Sequence, residues 1–363
     1  MSEPNEPASE GSAPEQPRKV KPIQKPEYEE GAMGRRSFLG KVGAATGILG
    51  ASGYLALAPE SWPLSLRDKS GLRSEPKVTP FRLKDFRVAK SAAASADVGI
   101  GRGGTPKEML RKALDAIGGI ERFIDPGDIV LVKPNVAFDR APALGATSQP
   151  ALIEELVNIL LVDCRAQEVR VADNPIESPA DCFMKTGLRA AAERAGGRVY
   201  LPDSNAFKVL NTPGAKLIEE WAFFHRPFTN VDKVIGVAPV KDHNLCSASM
   251  GIKNWYGLLG GRRSKFHQDI HEIVSDLSIM IRPTLTILDG TKILMENGPT
   301  GGDPSNVVTG DVVMAALDPV AQDAWAFEHL LRRDPSDLPE YLYKSEEKGS
   351  GLVDYTGRIK ELL

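Results

Sequence analysis

Short apolar runs alternate with stretches of helical periodicity from about residue 81 to the end of the chain. Apolar runs bounded by turn residues are typical of buried strands, and an apolar residue at every third or fourth position is typical of a packed helix. The runs predict strands at residues 86–90, 128–132, 168–172, 198–201, 234–238, 285–288 and 312–317, and the periodicity predicts helices at 106–117, 151–164 and 183–195. This β-α-β order predicts an α/β fold, with a mostly parallel sheet and helices on both faces.

The pattern also indicates how the chain is divided. We expect a single α/β domain over residues 81–363, in which the segments 207–210 and 221–229 fit neither period. A further helix is predicted after Asp318-Pro319, since an aspartate followed by a proline is typical of a helix N-terminus. With 363 residues and 42% hydrophobic content, the chain can bury a substantial core.

The first 80 residues have a different character. Residues 1–34 are rich in Glu, Pro, Ser and Lys and are predicted to be disordered, because they contain too little apolar surface to bury. Arg35-Arg36, followed by Phe38 and Leu39 and by a weakly apolar run at 42–58, resembles a twin-arginine export signal. The resemblance implies the twin-arginine translocase as a partner and a periplasmic location, with residues 59–80 as a linker.

Two outcomes remain open for the segment at 35–58. The small residues Ala56 and Ala58 suit a signal peptidase, but Pro59 directly follows them. The alternative is an uncleaved segment, in which residues 42–58 anchor the protein to the periplasmic face of the inner membrane. That run is at the short limit for crossing a bilayer.

Charge and cysteine content exclude some classes of function. The formal net charge of −3 gives no support to nucleic-acid binding. Cys164, Cys182 and Cys246 lie far apart, so the chain lacks the run of four cysteines that a self-contained iron–sulfur cluster requires. No cofactor is identified by the sequence, although a divalent metal is compatible with it.

The candidate chemistry is concentrated in residues 239–271, which hold three of the five histidines, three lysines and two arginines. Lys241 and His243 follow the predicted strand at 234–238, and Lys253, Asn254 and His267 come next. The excess of positive charge predicts a site for a small anionic ligand. His267 and His271 are four residues apart in a helical pattern, so they are predicted on one helix face, where they and His243 are candidate metal ligands.

Polar residues also follow three other predicted strands. Lys133 and Asn135 follow the strand at 128–132, Asp173 follows the one at 168–172, and Asp289 follows the one at 285–288. Because the carboxyl ends of parallel strands share one edge of a sheet, these side chains are predicted to converge there with Lys241 and His243. Lys133, Lys253, His243 and His267 are expected to line one pocket with Asp289 at its wall, and His271 either reaches this pocket or is carried out to solvent. Within it, Lys133, Asn135, Asp173, Lys241, Asn254 and Asp289 are candidate ligand-binding residues.

Several motifs together resemble the domain of unknown function 362 family. The resemblance covers nearly all of the chain after residue 80 and is carried by LVKPN at 131–135, ADNP at 172–175, KDH at 241–243, IKNWYG at 252–257, KFH at 265–267, RPTLTILDG at 282–290, NGPTGG at 297–302 and DPVAQDAWA at 318–326. Some members of the family carry ferredoxin-type cysteine clusters, which this sequence lacks. It also has Gln149 where members tend to have a histidine before a proline, which puts a ligand role at that position in doubt.

Three hypotheses of function follow. The first is an enzyme in which His243, His267 and Lys253 are catalytic and Asp289 or Asp173 orients a histidine or holds a divalent metal. The second is a non-catalytic periplasmic binding protein that uses the same residues to hold an anion or a metal. The third is an electron-transfer accessory subunit whose partner supplies the cluster.

Overall fold

The protein has the predicted α/β fold, with a large sheet at its centre. The computed structural model describes residues 79–88 and 96–363, so the predictions for residues 1–34, 35–58 and most of 59–80 lie outside the described residues. Val78–Leu363 forms one compact unit. Its strands are β1 Val98–Arg102, β2 Ile129–Lys133, β3 Glu168–Ala172, β4 Arg198–Tyr200, β5 Phe207–Asn211, β6 Glu220–Phe224, β7 Lys233–His243, β8 Ser247–Ser249, β9 Leu285–Leu294, β10 Val307–Thr309, β11 Val312–Ala316 and β12 Ile359–Leu362.

The strand order of the large sheet is β12-β1-β11-β9-β7-β2-β3-β4. The run from β9 to β4 is parallel throughout, whereas β11 pairs antiparallel with both β9 and β1. The short strands β8 and β10 are antiparallel additions to β7 and β9. The prediction of a mostly parallel sheet is therefore confirmed, and the segments that fitted neither period form a separate hairpin, β5–β6.

Helices cover both faces of this sheet. They are α1 Pro106–Ala116, α2 Pro150–Asn158, α3 Pro179–Lys185, α4 Leu188–Arg194, α5 Gly251–Asn254, α6 Ile270–Met280, α7 Pro319–His329 and α8 Glu340–Glu347. The helix predicted at 183–195 is divided at Gly187, whose φ is 73°, into α3 and α4. The helix predicted at 151–164 changes to a π-helical turn, Ile159–Asp163. The side chain of Asp318 accepts hydrogen bonds from the backbone N–H groups of Val320 and Ala321, which confirms it as the N-cap of α7.

Successive residues of the central strands pack into different layers. Val130 and Val132 of β2 belong to the core formed with α1 and α2, whereas Leu131 belongs to the core that contains the hairpin and α6. This is the alternation expected of a strand buried on both faces. The central strands are thereby fixed, and the polar residues at their ends are held on a rigid frame.

The N-terminal strand of the domain differs from its prediction. Residues 86–88 have no regular structure and 89–90 lie outside the described residues, while the first strand is β1, with sequence VGIGR. Gly99 lies so close to α1 that a Cβ there would be 2.2 Å from the Ala113 carbonyl oxygen. The glycines permit this approach but also remove the pattern by which strands are recognised.

Strands β7 and β9 extend beyond their apolar runs. Lys241 and His243 lie inside β7, and Asp289 lies in the middle of β9 rather than in a loop after it. The prediction that these three residues follow strand ends is therefore wrong. The added antiparallel strands β8 and β10 supply backbone partners that allow β7 and β9 to continue.

Within the described part of the chain, none of the helices combines the length and apolar character needed to cross a bilayer.

Candidate functional site

A small cleft of about 80 Å³ lies at the carboxyl ends of β2, β3 and β7. Eight of the ten residues predicted for the site line it, and Asp289 and His271 do not. The eight are Lys133, Asn135, Asp173, Lys241, His243, Lys253, Asn254 and His267, which come from segments more than a hundred residues apart in sequence. The remaining walls include Phe138, Ile176, Ser249, Tyr256, Arg263 and Pro299.

The floor of the cleft is a buried ion pair. Lys133, the last residue of β2, places Nζ 2.7 Å from Oδ1 of Asp173, which directly follows β3, and each side chain is 1% exposed. The Lys133 ammonium also donates to the Pro134 carbonyl oxygen and to Oδ1 of Asn254. Burial lowers the pKa of Lys133, and the charge of Asp173 opposes that shift. With three acceptors around it, this ammonium is fully used inside the protein.

Asn254 connects this floor to the short helix α5. Its Oδ1 accepts from Lys133 and from Nδ2 of Asn135, and its own Nδ2 donates to the backbone carbonyls of Lys133 and Val237. All of its hydrogen-bonding capacity is thus taken by protein atoms. Asn135 and Asn254 line the cleft as structural parts of the floor, which reduces their capacity to bind a ligand.

Two features place the segment after α5 directly against the floor. A Cβ on Gly257 would lie 2.1 Å from Oδ1 of Asp173, so only glycine allows the backbone to pass there. Arg263 donates to four carbonyl oxygens, those of Tyr256, Leu259, Asn174 and Pro175. Its guanidinium therefore fastens the loop after β3 to the loop after α5, while its charge remains without a carboxylate contact among the described residues.

Lys241 forms part of one wall. It is 2% exposed, and its Nζ donates to the Ala146 carbonyl oxygen at 2.7 Å and lies 5.3 Å from the centre of the Phe138 ring. Burial, reinforced by the charges of Lys253 and Lys133, lowers the pKa of Lys241 to about 7. No carboxylate pairs with it among the described residues, so an anion in the cleft would favour its charged form.

Lys253, on α5, differs from the other two lysines. It lines the cleft with Nζ 5.3 Å from the centre of the Tyr256 ring and makes no hydrogen bond or ion pair within the described part of the chain. Burial lowers the pKa of Lys253, an effect that a nearby Cys246 opposes and Arg263 reinforces. Its three donors remain for a ligand.

The helix that carries Lys253 is fixed by a residue that was not predicted for the site. Asp323, inside α7, accepts from the backbone N–H groups of Gly251 and Ile252 with its two carboxylate oxygens. Burial raises the pKa of Asp323 to about 7. The sequence showed only an aspartate within a helix, and its function as a cap for a distant helix depends on the packing of α5 against α7.

His243 is held in one neutral form. The backbone N–H of Leu245 donates to its Nδ1 at 3.2 Å, so Nδ1 carries the lone pair and Nε2 carries the proton. Burial and the charges of Lys253 and Lys241 lower the pKa of His243 to about 2. At neutral pH this ring is therefore a hydrogen-bond donor through Nε2 and does not carry a positive charge.

The neutral ring of His267 is held in the opposite tautomer to that of His243. Its Nδ1 is 2.9 Å from the Ser264 carbonyl oxygen, which can only accept, so Nδ1 carries the proton and Nε2 of the neutral ring carries the lone pair. The ring is exposed at the mouth of the cleft and lies 5.6 Å from the Tyr256 ring. Of the two histidines, His267 is the one suited to accept a proton.

The prediction that His267 and His271 share a helix face is wrong. His267 lies in the 3-10 segment Arg263–Asp269, and α6 begins at Ile270. His271 instead stacks near the Tyr341 ring and does not line the cleft. Over residues 79–88 and 96–363, no three His, Cys, Asp or Glu side chains gather as a metal site requires, so the predicted trio with His243 is not formed.

Asp289 was also predicted at the pocket wall, and that placement is wrong. It is 1% exposed and accepts from the backbone N–H of Gln149 and from the N–H and hydroxyl of Thr291. Its carboxylate thus fixes the start of α2 and does not face a ligand. Burial raises the pKa of Asp289, and these hydrogen bonds oppose the rise.

The charge balance of the cleft follows from these contacts. Among the described residues that line it, Asp173 is the only carboxylate and it is already paired with Lys133. Lys241, Lys253 and Arg263 contribute positive charge without a carboxylate partner. Low-dielectric walls formed by Phe138 and Tyr256 strengthen the attraction of such a site for an anion.

Comparison with known proteins places the chain in a family. The family profile described as domain of unknown function (DUF362) matches residues 130–328, which include every residue that lines the cleft. The thylakoid-associated protein sll1697 of Synechocystis sp. (strain ATCC 27184 / PCC 6803 / Kazusa) is 27% identical over 248 residues, which are 63% of this chain and 71% of that protein.

Two solved structures share a more distant likeness. The lactate racemase apoprotein from Thermoanaerobacterium thermosaccharolyticum aligns at 12% identity and a TM-score of 0.34 over 64% of this chain and 55% of that chain. A structural-genomics target from Thermotoga maritima aligns at 14% identity and 0.36, covering 64% of this chain and 58% of that chain. The chain thus spans less than two thirds of either structure. Since the family profile covers more than half of its residues, the protein belongs to the domain of unknown function 362 family.

Proposed function

We propose that this protein binds a small anion, such as a carboxylate or a phosphate, in the cleft. The observation that carries the proposal is the lack of a carboxylate partner for Lys241 and Lys253, within the described residues, while the one lining carboxylate, Asp173, is paired with Lys133. Positive charge buried without a partner is costly, and a bound anion offsets that cost. Lys253 is the principal contact, Nε2 of His243 adds a neutral donor, and Lys241 adds a second charge.

Isothermal titration of the full chain with acetate, oxalate and inorganic phosphate tests this proposal. We expect at least one of these anions to bind, and the Lys253→Met variant to bind it roughly tenfold or more weakly, since a charged hydrogen bond contributes about 1.5–3 kcal/mol. Lys265→Met is the matched control, because Lys265 is an exposed lysine nearby that does not line the cleft. Equal losses in the two variants, or no binding of any anion by the wild type, would contradict the proposal.

A specific observation favours proton transfer as a second candidate function. His243 presents a proton on Nε2, whereas the neutral ring of His267 presents a lone pair on Nε2, and both rings line the cleft. Two neutral imidazoles of opposite tautomer in one cleft suit a donor and an acceptor for a bound anion. Pyruvate in D₂O is a suitable probe, and deuterium exchange of its methyl group, measured by NMR, should be lost in His267→Ala. Exchange that persists unchanged in the variant would exclude His267 as the base.

The location of the protein is a separate part of the proposal. The Arg35-Arg36 pair with Phe38 and Leu39 supports export through the twin-arginine translocase to the periplasm, with cleavage or with anchoring through 42–58. The name of the Synechocystis relative describes a thylakoid association, which supports a place beside a membrane. Replacing both arginines with lysine should retain the protein in the cytoplasm of fractionated cells. An unchanged periplasmic amount would contradict the export signal.

A further inference from the structure

We propose that Lys253 is a nucleophile that forms an imine with the carbonyl group of a small oxo acid bound in the cleft. This inference rests on the proposed anion site and names the class of its ligand. Three lysines line the cleft, and within the described residues Lys253 alone among them makes no hydrogen bond or ion pair. The inference rests on this difference in contacts.

The other two lysines are unsuited to this reaction. The Nζ of Lys133 forms an ion pair with Asp173 and donates to Asn254 and to the Pro134 carbonyl, and forming an imine would break all three contacts. Lys241 donates to the Ala146 carbonyl oxygen and is 2% exposed. Of these three lysines, only Lys253 can turn its nitrogen toward a ligand without breaking a hydrogen bond or an ion pair with the described residues.

The surroundings of Lys253 favour the uncharged amine, which is the form that reacts with a carbonyl. Burial lowers its pKa, and Arg263 acts in the same direction. Desolvation and a neighbouring cation are the two ways in which proteins activate a lysine for this chemistry. The Tyr256 ring lies beside the amine, with its centre 5.3 Å from Nζ, and together with the Phe138 ring elsewhere in the cleft it provides apolar lining that limits the access of water.

The same cleft also offers contacts for the remainder of an oxo acid. Nε2–H of His243 and the hydroxyl of Ser249, which lies opposite Lys241 in the β7–β8 pair, can donate to the carbonyl oxygen. Lys241 and Arg263 supply charge for the carboxylate. A volume of about 80 Å³ limits the ligand to a few non-hydrogen atoms, as in glyoxylate or pyruvate.

The step balances without an oxidant or a reductant. The Nζ lone pair attacks the carbonyl carbon to form the C–N bond, the C=O π pair moves to oxygen, and a proton shifts from nitrogen to that oxygen. The nitrogen lone pair then forms the C=N bond as the hydroxyl group leaves with one further proton from solvent. The products are a protonated imine and one water molecule.

Reductive trapping of the full chain with glyoxylate and sodium cyanoborohydride tests this inference. Reduction of the imine converts the lysine into N-carboxymethyl-lysine, which peptide mapping by mass spectrometry locates. At neutral pH we expect Lys253 to be modified roughly tenfold or more faster than the exposed Lys265, because a larger fraction of its amine is uncharged. Equal rates at the two lysines, or modification that spares Lys253, would overturn the inference.

A second measurement separates this inference from the proposed anion site. Two properties are measured in each variant, namely the affinity for acetate and the preferred adduct at residue 253, and Lys253→Arg, which cannot form an imine, should lose the adduct. Lys265→Met should keep both properties. If the wild type binds acetate but is not trapped at Lys253, the imine is excluded and the anion site stands. The opposite result is that no anion binds, and that acetaldehyde, a neutral aldehyde, traps Lys253 as fast as glyoxylate does. In that case Lys253 is a nucleophile, and the anion site is excluded.

Discussion

Two regions of this protein each hold three lysines, and they use them in opposite ways. Between α6 and α8, Lys216, Lys344 and Lys348 surround Glu272, and Lys348 also contacts Asp276. We call this group the α6–α8 ion cluster. In the cleft, Lys133 pairs with Asp173, whereas Lys241 and Lys253 have no carboxylate partner among the described residues.

The pKa values in the two regions reflect this difference. Burial alone would raise the pKa of Glu272, but hydrogen bonds from Lys348 and Lys344 lower it to about 2. In the cleft, burial lowers the pKa of Lys241 to about 7 because no carboxylate opposes it at close range. The ion cluster is complete within the protein, whereas the cleft holds lysines that have no carboxylate partner among the described residues, which is the basis of the proposed anion site. The comparison separates lysines that stabilise the fold from lysines available to a ligand.

Removing the carboxylate that pairs with Lys133 in the cleft should have the largest effect. Asp173→Asn leaves the Lys133 ammonium buried with neutral acceptors only, which should lower the free energy of unfolding by about 3–5 kcal/mol. The midpoint of urea unfolding measures the change. Glu272→Gln is the counterpart in the ion cluster, and we expect a loss of about 1–2 kcal/mol there, because its lysines are closer to water. A smaller loss for Asp173→Asn than for Glu272→Gln would contradict the claim that Asp173 contributes more to stability than Glu272.

Removing one lysine from each region should give effects of opposite sign. Lys241→Met should raise the free energy of unfolding at pH 6 by about 1–3 kcal/mol, because it removes a buried cation without a carboxylate partner. Lys348→Met should lower it by about 1–2 kcal/mol, because it removes a cation that pairs with Glu272 and Asp276. Both values come from denaturant titration without added anions. The same sign for the two variants would mean that Lys241 is not an uncompensated charge.

The free energy of unfolding should depend on pH in a way that reflects the lowered pKa of Lys241. The pKa of Lys241 is about 7 in the folded protein and 10.5 ordinarily, so between these values the unfolded chain binds a proton that the folded chain does not. The contribution of Lys241 to stability therefore rises with pH from about 7 to 10.5, and anion affinity falls over the same window. Comparing the wild type with Lys241→Met at pH 7 and pH 9 isolates this slope. An identical slope in the two proteins would contradict the lowered pKa.

The smallest effect is expected for a partly exposed lysine of the ion cluster. Lys344→Met should lower the free energy of unfolding by about 0–1 kcal/mol, since its partner Glu272 keeps two other lysines and surface ion pairs contribute little. It should leave the affinity of the cleft for anions unchanged, as measured by titration calorimetry. A drop in anion affinity would show that the two regions are coupled.

The sequence predicted where the site forms better than how its residues are used. Lys133 and Asp173 were found because the ends of parallel strands meet at one edge. Asp289 was misplaced, since the apolar run of β9 ends before the strand does, and its buried carboxylate binds backbone donors of α2. For the same reason Lys241 and His243 were predicted to follow β7, whereas they lie inside it. Both residues nevertheless line the cleft, as predicted.

The partners of the charged groups depend on tertiary contacts that no pattern along the chain encodes. The sequence offers three similar lysines in the cleft, and only packing determines that Lys133 has three acceptors and Lys253 has none within the described residues. Arg263 is one of the two arginines counted in residues 239–271, but its four carbonyl contacts come from loops brought together by Gly257 and Asp173.

The position of a bound anion tests the central claim most directly. A crystal of the full chain grown with selenate, a tetrahedral oxyanion like phosphate that contains a heavy atom, would show the anion by its anomalous scattering. The account predicts a selenium peak in the cleft, with a selenate oxygen within about 3.2 Å of the Nζ of Lys253, as expected for a charged hydrogen bond. Peaks confined to surface lysines such as those of the α6–α8 ion cluster, with none in the cleft, would contradict it.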